Sequence, residues 1–207
     1  SNDTLTGTDL AGTFELDGTD RYFIGINEIG FSAFENLNGG NQVDTFIFSG
    51  NRTYIVNGGA GDDIFRFTDG SSLTGTLDGS TGSDLLDLTL FTTSRIVNLL
   101  STSTDGFAGN VTDTVPTGFS NIDWVYGSTT ATNDQLFGLN VDATWDLNGV
   151  NSQYLVGANS IGFLYFDRLQ GGQYADTFIL HGAETELLFG NAGDDIYSLM
   201  DGASLNG

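Results

Sequence analysis

The sequence predicts an all-β protein, a parallel β-solenoid of the β-helix or β-roll type with coils of about 20 residues. Three observations lead to this prediction: a long internal repeat, a shorter repeat inside it, and a high glycine content. The 207 residues include 30 glycines and a single proline, Pro116. Glycine adopts positive φ without steric cost, so this composition favours many short strands joined by tight turns.

The long repeat is about 130 residues in length. Residues 31–75 align without a gap with residues 163–207, and roughly half of the aligned positions are identical. Upstream, "GTFELDG" matches "ATWDLNG", and "NDTLTG" matches "NDQLFG". We therefore divide the chain into a first large repeat, residues 1–131, and a truncated second large repeat, residues 132–207, within one continuous solenoid.

The short repeat combines an apolar residue, a glycine-rich turn and a strand. "LNGGNQVDTFIF", "VNGGAGDDIFRF" and "LDGSTGSDLLDL" follow one another at about 20 residues, and the second large repeat contains "LQGGQYADTFIL" and "LFGNAGDDIYSL". Phenylalanines alternate in these strands, so Phe46 and Phe48, like Phe65 and Phe67, are predicted to share one face. Phenylalanines of successive coils are then expected to stack. A β-sandwich also has short strands and glycine turns, but it does not explain the strict second period.

Residues 101–118 interrupt this pattern. The segment is polar and contains Pro116, so we interpret it as an outward loop or a loosely formed coil. No stretch of the chain shows sustained apolar spacing of three and four residues, and no helix is predicted.

The composition excludes several classes of function. There are 27 acidic residues against five arginines and no lysine, giving a formal net charge of −22. This charge argues against binding of nucleic acid or of anionic membrane surfaces, and it attracts cations, although solubility alone is a simpler explanation. The absence of cysteine excludes disulfides and thiolate metal sites. No window resembles a signal peptide or a membrane-spanning helix, so no membrane insertion of this chain is expected and any export signal lies outside it.

The glycine-rich turns carry a cation-binding pattern, G-G-x-G-x-D-x-U-x. "GGAGDDIFR" fits it through the apolar position, whereas "GSTGSDLLD" and "GNAGDDIYS" lack the second glycine, and "GGNQVDTFI" and "GGQYADTFI" lack the third. The glycines let main-chain carbonyl groups converge, and the aspartate supplies a hard anionic oxygen that suits calcium.

On these motifs the chain resembles the hemolysin-type, or RTX, calcium-binding repeats, and its larger unit is similar to repeats of giant bacterial surface adhesins and hemagglutinin-like proteins. The resemblance implies Ca²⁺ as the ligand. It places the calcium-binding aspartates at Asp44, Asp63, Asp84, Asp176 and Asp195. It places the coordinating carbonyl groups at Gly39, Gly58, Gly79, Gly171 and Gly190, and it gives Asp62 and Asp194 a role mainly through the backbone.

The chain departs from these repeats because its motifs are single and separated by strand-like spacers such as "SGNRTYIV". Only neighbouring coils are then able to share an ion, and the candidate pairs are Asp44 with Asp63, Asp63 with Asp84, and Asp176 with Asp195. The alternative is that these aspartates cap turns by accepting hydrogen bonds from backbone amides. Three further acids, Glu35, Asp123 and Asp167, recur at one equivalent position, which suggests that they receive turn amides.

Little else in the sequence points to chemistry. His181 is the single histidine, and its counterpart in the first large repeat is Ser49, so neither a zinc site nor a catalytic triad is expected. Trp124 and Trp145 are candidates for sugar stacking, but Trp145 aligns with Phe14 and is predicted to lie in the core.

The sequence therefore favours a non-catalytic structural or adhesive repeat module of a secreted or cell-surface bacterial protein, stabilised by calcium. Its expected partners are neighbouring repeats of the same polypeptide and an unidentified host-cell, matrix or glycan ligand. The alternative is a carbohydrate-binding or polysaccharide-processing β-helix module of a secreted enzyme. Against catalysis, the arginines do not recur, since Arg52 aligns with Glu184 and Arg66 with Ser198.

Overall fold

The computed structural model describes residues 2–205, whose regular structure consists of β-strands apart from a 3-10 turn at Gly149–Asn151. The first large repeat contains β1 (Thr4–Thr6), β2 (Thr13–Leu16), β3 (Arg21–Ile24), β4 (Asn27–Gly30), β5 (Asn36–Gly40), β6 (Thr45–Phe48), β7 (Asn51–Arg52), β8 (Ile55–Ala60), β9 (Ile64–Phe67), β10 (Ser72–Leu73), β11 (Leu77–Thr81), β12 (Leu85–Asp87), β13 (Ile96–Thr102), β14 (Phe107–Val111), β15 (Val115–Ile122) and β16 (Trp124–Tyr126). The second contains β17 (Gln135–Phe137), β18 (Ala143–Leu147), β19 (Gln153–Val156), β20 (Asn159–Leu164), β21 (Arg168–Gln170), β22 (Asp176–Leu180), β23 (Ala183–Glu184), β24 (Leu187–Phe189), β25 (Ile196–Leu199) and β26 (Ser204–Leu205). The all-β prediction is confirmed. Within the described part of the chain, no helix has the length and apolarity needed to cross a membrane.

Two large sheets contain most of the strands. The ten-stranded sheet has the order β1-β5-β8-β11-β15-β14-β13-β17-β21-β24. The twelve-stranded sheet has the order β25-β22-β18-β19-β20-β16-β12-β9-β6-β2-β3-β4. Two further sheets have two strands each, β7 with β10 and β23 with β26.

The chain alternates between the two large sheets, and equivalent positions of the short repeat lie side by side. We call one strand of the ten-stranded sheet, the following glycine-rich turn and one strand of the twelve-stranded sheet a unit. The units β5–β6, β8–β9 and β11–β12 pair in parallel in both sheets. In the register of the second sheet, Phe46 pairs with Phe65, and Phe65 pairs with Leu86. The period near 20 residues is thus the spacing of strands that pair.

The sheets are mixed rather than purely parallel, which differs from the parallel arrangement predicted. In each large repeat the first strand of the twelve-stranded sheet begins an antiparallel meander. The two meanders are β2-β3-β4 and β18-β19-β20. The loop between β3 and β4 and the loop between β19 and β20 each have two residues. They begin with Gly25 and Gly157, whose φ values are 59° and 61°. Positive φ at the first loop residue matches the right-handed strand twist, so a glycine at this position favours a tight hairpin.

Residues 101–118 also differ from the prediction, because they form neither an outward loop nor a loosely formed coil. Strands β13, β14 and β15 form an antiparallel meander in the ten-stranded sheet. Phe107, Val111 and Val115 are fully buried in it. The sequence analysis did not predict these strands because the segment is mostly polar. Its few apolar residues are spaced so that their side chains face the inner side of the sheet.

The core lies between the two large sheets and contains stacked aromatic rings. Phe14 stacks on Phe46 at 4.6 Å between ring centroids, Phe46 on Phe65 at 5.3 Å, and Phe48 on Phe67 at 4.4 Å. In the second large repeat the stack consists of Trp145, Phe178 and Tyr197. The predicted phenylalanine stacking is confirmed, and it fixes the register of successive units because each ring covers the one before it.

Candidate metal site

The predicted aspartates lie inside the molecule, at the corner where each glycine-rich turn enters the twelve-stranded sheet. Asp44, Asp63, Asp84 and Asp176 have no solvent exposure. The fifth, Asp195, belongs to the last unit described and is half-buried. The alternation that turns Phe46 and Phe48 inward also turns Asp44 inward, because it lies two residues before Phe46.

The buried carboxylates connect successive units through backbone amides. The Asp44 N–H donates to Asp63 Oδ1 at 2.7 Å, and the Asp63 N–H donates to Asp84 Oδ1 at 2.8 Å. In the second large repeat, the Asp176 N–H donates to Asp195 Oδ1 at 2.9 Å. The three predicted pairs of aspartates are therefore neighbours, and we call this series of contacts the carboxylate ladder. The alternative prediction, that these aspartates accept hydrogen bonds from backbone amides, holds for one oxygen of each acceptor carboxylate.

The acids singled out at the other recurring position extend the carboxylate ladder. Glu35 accepts the Asp3 N–H at 2.8 Å, Asp123 accepts the Asp84 N–H at 2.9 Å, and Asp167 accepts the Asp134 N–H at 2.8 Å. The prediction that these acids receive amides is confirmed.

Asp134 is a member of the ladder that the sequence argument missed. It is fully buried and accepts the amides of Arg95 and Ser128. The repeated motif "NDTLTG" and "NDQLFG" was the available signal, since it places an aspartate before an inward leucine in both large repeats.

A second set of carboxylates faces solvent and bonds in the opposite direction. Asp62, expected to act mainly through its backbone, accepts the Ser83 N–H at 2.8 Å through its side chain. The Asp63 N–H bonds to Asp84 across the same boundary, so these two units hold one another reciprocally. Asp142 accepts the Ala175 N–H in the same way, at 3.2 Å. Asp194, the counterpart of Asp62 in the last unit, is exposed.

The first glycine of each turn leaves room for the carboxylate. A Cβ atom on Gly58 would lie within 3.0 Å of both Asp63 Oδ2 and the Gly79 carbonyl oxygen. Gly171 has the same relation to Asp176 Oδ2 and the Gly190 carbonyl oxygen. Gly39, Gly79 and Gly190 likewise lie against the aspartates of their own units, Asp44, Asp84 and Asp195. An alanine at Gly39, Gly58, Gly79 or Gly171 would collide with the oxygen of a fully buried carboxylate.

One oxygen of each of the four fully buried aspartates that the motif predicted has no hydrogen-bond partner, whereas both oxygens of Asp134 accept an amide. The unpartnered atoms are Asp44 Oδ2, Asp63 Oδ2, Asp84 Oδ2 and Asp176 Oδ1. Burial raises the pKa of Asp44 and of Asp176 to about 6, that of Asp63 to about 7 and that of Asp84 to about 8. A buried oxygen without a donor is costly when it carries charge, so each corner favours a proton or a cation.

The oxygen atoms at the corners fit a calcium ion by their chemistry. The corners at Gly39, Gly58 and Gly171 each bring together a carboxylate oxygen and a main-chain carbonyl oxygen from the next unit, and calcium prefers such hard donors. Within residues 2–205, no three acidic or histidine side chains meet around one point. A calcium ion would therefore take most of its ligands from the backbone, as the predicted role of the turn glycines requires.

The remaining candidates are separate from the ladder. Trp145 is fully buried, which confirms its predicted place in the core and removes it as a sugar-stacking residue. Trp124 is half-buried on β16, 6.2 Å from Tyr126 between ring centroids. His181 Nε2 lies 2.8 Å from Asp146 Oδ1 at the surface.

Comparisons of the chain with protein families, with curated proteins and with solved structures found no match.

Proposed function

We propose that the chain is a non-catalytic structural module of a secreted or cell-surface protein, in which successive units form a parallel β-solenoid that calcium stabilises. The observation that supports this proposal best is the carboxylate ladder, because its contacts join each unit to the next. Contacts that join each unit only to its neighbours extend a structure along one axis, as in solenoid proteins.

The proposed solenoid is supported by the pairing of equivalent positions in both sheets. Leu37 pairs with Val56 and Val56 with Leu77, while Phe46 pairs with Phe65. A chain that alternates between two sheets and advances by one strand in each describes a coil. The antiparallel meanders are then excursions from the coil that recur once in each large repeat.

The role of calcium is supported by the unpartnered oxygens of Asp44, Asp63, Asp84 and Asp176. At neutral pH these carboxyls lack a positive partner inside a chain of net charge −22. A divalent cation at the corners would neutralise both the local and the overall charge. Calcium is scarce in the cytosol and abundant outside the cell, so binding would complete folding after export.

An adhesive role follows from the repetition rather than from a pocket. Duplication of a large repeat increases the length and valency of a surface protein. The ligand would be a host-cell, matrix or glycan structure contacted by the module or by a neighbouring part of the same polypeptide.

Thermal unfolding followed by circular dichroism tests the role of calcium. We expect millimolar calcium to raise the melting temperature above its value in EGTA by roughly 5–10 °C, the shift from one site filled about a hundredfold above its dissociation constant. Magnesium at the same concentration serves as the control, and it should have a smaller effect because it demands octahedral geometry and retains water. Equal melting temperatures in calcium and EGTA would refute calcium stabilisation.

A further inference from the structure

The two edge strands at the N-terminal end of the sheets, β1 and β4, have partners at the equivalent place in the second large repeat. The counterpart of β1 is β17, which lies between β13 and β21. The counterpart of β4 is β20, which lies between β19 and β16. The chain therefore contains one junction between large repeats. At this internal junction, the strands equivalent to β1 and β4 pair with strands of the preceding repeat.

Apolar residues near β1 and β4 are more exposed than their counterparts at the internal junction, as expected where a pairing partner is missing. Ile29 is 59 % exposed, whereas its counterpart Ile161 is fully buried. Phe31 and Phe34 are half-buried, whereas their counterparts Phe163 and Phe166 are buried. Leu5 is half-buried and its counterpart Leu136 is fully buried. We call the patch formed by Leu5, Ile29, Gly30, Phe31 and Phe34 the N-terminal face.

The contacts at the internal junction define the partner in detail. The Gly162 N–H donates to the Asp123 carbonyl at 2.7 Å, and the Gly127 N–H donates to the Leu164 carbonyl at 2.9 Å. Phe107 of β14 contacts Tyr154 at 5.8 Å between ring centroids. The elements that cover the second large repeat are thus the β13–β14–β15 meander and β16 of the first.

The local backbone of the N-terminal face already has the geometry of the covered copy. Ala33 has φ of 65° and its counterpart Tyr165 has φ of 64°. The Phe31 N–H donates to the Asp20 carbonyl at 2.9 Å, as the Phe163 N–H donates to the Ser152 carbonyl at 3.0 Å. A face that needs no rearrangement binds without the cost of ordering a loop.

We infer that the N-terminal face is a docking surface for the residue 96–126 portion of a preceding large repeat, bound in the register of the internal junction. This inference rests on the proposed role as a repeat module. A Trp124 equivalent would pair with Gly30, and a Tyr126 equivalent with Ser32, as Trp124 pairs with Gly162 and Tyr126 with Leu164. The edge of β4 would then continue the twelve-stranded sheet.

Gly30 gives a sharp test, because its surroundings differ from those of Gly162. A Cβ atom on Gly162 would lie within 3.0 Å of the Trp124 ring, whereas the nearest atom to a Cβ on Gly30 is the Asp20 carbonyl oxygen at 4.0 Å. Gly30→Val should therefore leave the present chain unaffected, and Gly162→Val should destabilise it. Ile29→Ala and Ile161→Ala form a second pair with the same logic, which applies if Gly162→Val fails to fold.

The experiment compares the present chain with a longer chain in which a copy of residues 2–131 precedes Ser1. In the longer chain, Gly30→Val and Ile29→Ala of the original copy should each lower the melting temperature by about 2–8 °C, the same loss that we expect from Gly162→Val and Ile161→Ala in the present chain. In the present chain the changes at positions 29 and 30 should shift it by less than about 2 °C.

Two results would overturn the inference. In the first, the longer chain tolerates both changes while the present chain does not tolerate those at positions 161 and 162, so that the repeats do not dock in this register. In the second, the present chain is a dimer that Gly30→Val dissociates, so that a second copy occupies the face. Both results are independent of calcium and leave the EGTA experiment unaffected.

Discussion

At the scale of single residues, a buried aspartate serves two demands that conflict at neutral pH. Oδ1 of Asp63 accepts the Asp44 amide, which would otherwise be buried without a partner, while Oδ2 has none. The hydrogen bond to Oδ1 stabilises the link between two units, whereas burial of Oδ2 is unfavourable when the carboxylate is charged. Gly58 makes this arrangement possible because any side chain there would occupy the position of Oδ2.

Two substitutions at Asp63 distinguish the effect of the amide hydrogen bond from that of the buried charge. Asp63→Ala removes the acceptor of the Asp44 amide and should lower the free energy of unfolding in EGTA by about 1–3 kcal/mol. Asp63→Asn keeps an acceptor oxygen and removes the charge, so in EGTA at neutral pH it should be at least as stable as the unmodified chain. Urea denaturation measures both. A loss with Asn equal to that with Ala would show that the charge, and not the amide contact, stabilises the fold.

The residues of the candidate site were predictable from the motif, but the direction in which they point was not. The spacing of glycine and aspartate placed Asp44, Asp63 and Asp84 in equivalent turns. Whether such an aspartate faces solvent or the interior depends on where the strand alternation begins. Asp62 and Asp63 illustrate this, because neighbouring carboxylates take opposite sides of the turn and bond in opposite directions.

At the scale of elements, the alternating phenylalanines and the short period correctly predicted the strands and their neighbours. β6 and β9 have the predicted alternation of burial, and they pair as the repeat requires. The meanders were missed because alternation is the same in parallel and antiparallel strands, so it does not reveal the direction of a neighbour. The available signal was local, a two-residue loop beginning with Gly25 or Gly157 between two alternating segments.

The aromatic stack should contribute unequally along its length. Phe65 is fully buried, whereas its counterpart Tyr197 in the last unit is 43 % exposed. Phe65→Ala should lower the free energy of unfolding by about 3–5 kcal/mol. Tyr197→Ala is the matched control and should cost less than half as much, since among residues 2–205 β25 is an edge strand and the Tyr197 ring stacks on one ring only, that of Phe178. Similar losses in urea denaturation would mean that stacking on the preceding ring, rather than enclosure, determines the contribution.

At the scale of the whole molecule, protons and the proposed calcium ions would compete for the same oxygens. The buried carboxyls have pKa values raised by burial to between about 6 and about 8. In the unfolded chain they ionise near the ordinary aspartate value, so over this range the folded chain binds more protons than the unfolded chain does. The net charge of −22 acts in the same direction, because protonation reduces repulsion within the compact state.

Stability in EGTA should therefore increase on acidification. We expect the urea midpoint to rise as the pH is lowered from 8 to 5, and to rise most steeply below about pH 6, where the buried carboxyls are protonated in the folded chain and still ionised in the unfolded chain. If calcium binds as proposed, the rise in calcium should be smaller, because the bound ion would already neutralise the corners. A midpoint that falls on acidification from pH 8 would contradict the assignment of these carboxyls as uncompensated.

The contacts of the carboxylate ladder have a direction. From the Asp3–Glu35 contact at the surface to the Asp176–Asp195 contact, each bond of the ladder joins an amide of an earlier unit to a carboxylate of a later one. A chain that emerges with its N-terminus first thus presents an amide before the carboxylate that will cap it. Each new unit completes its predecessor and leaves its own amide for its successor. Assembly of the ladder is in this sense vectorial, and its growing front is always the most recent turn.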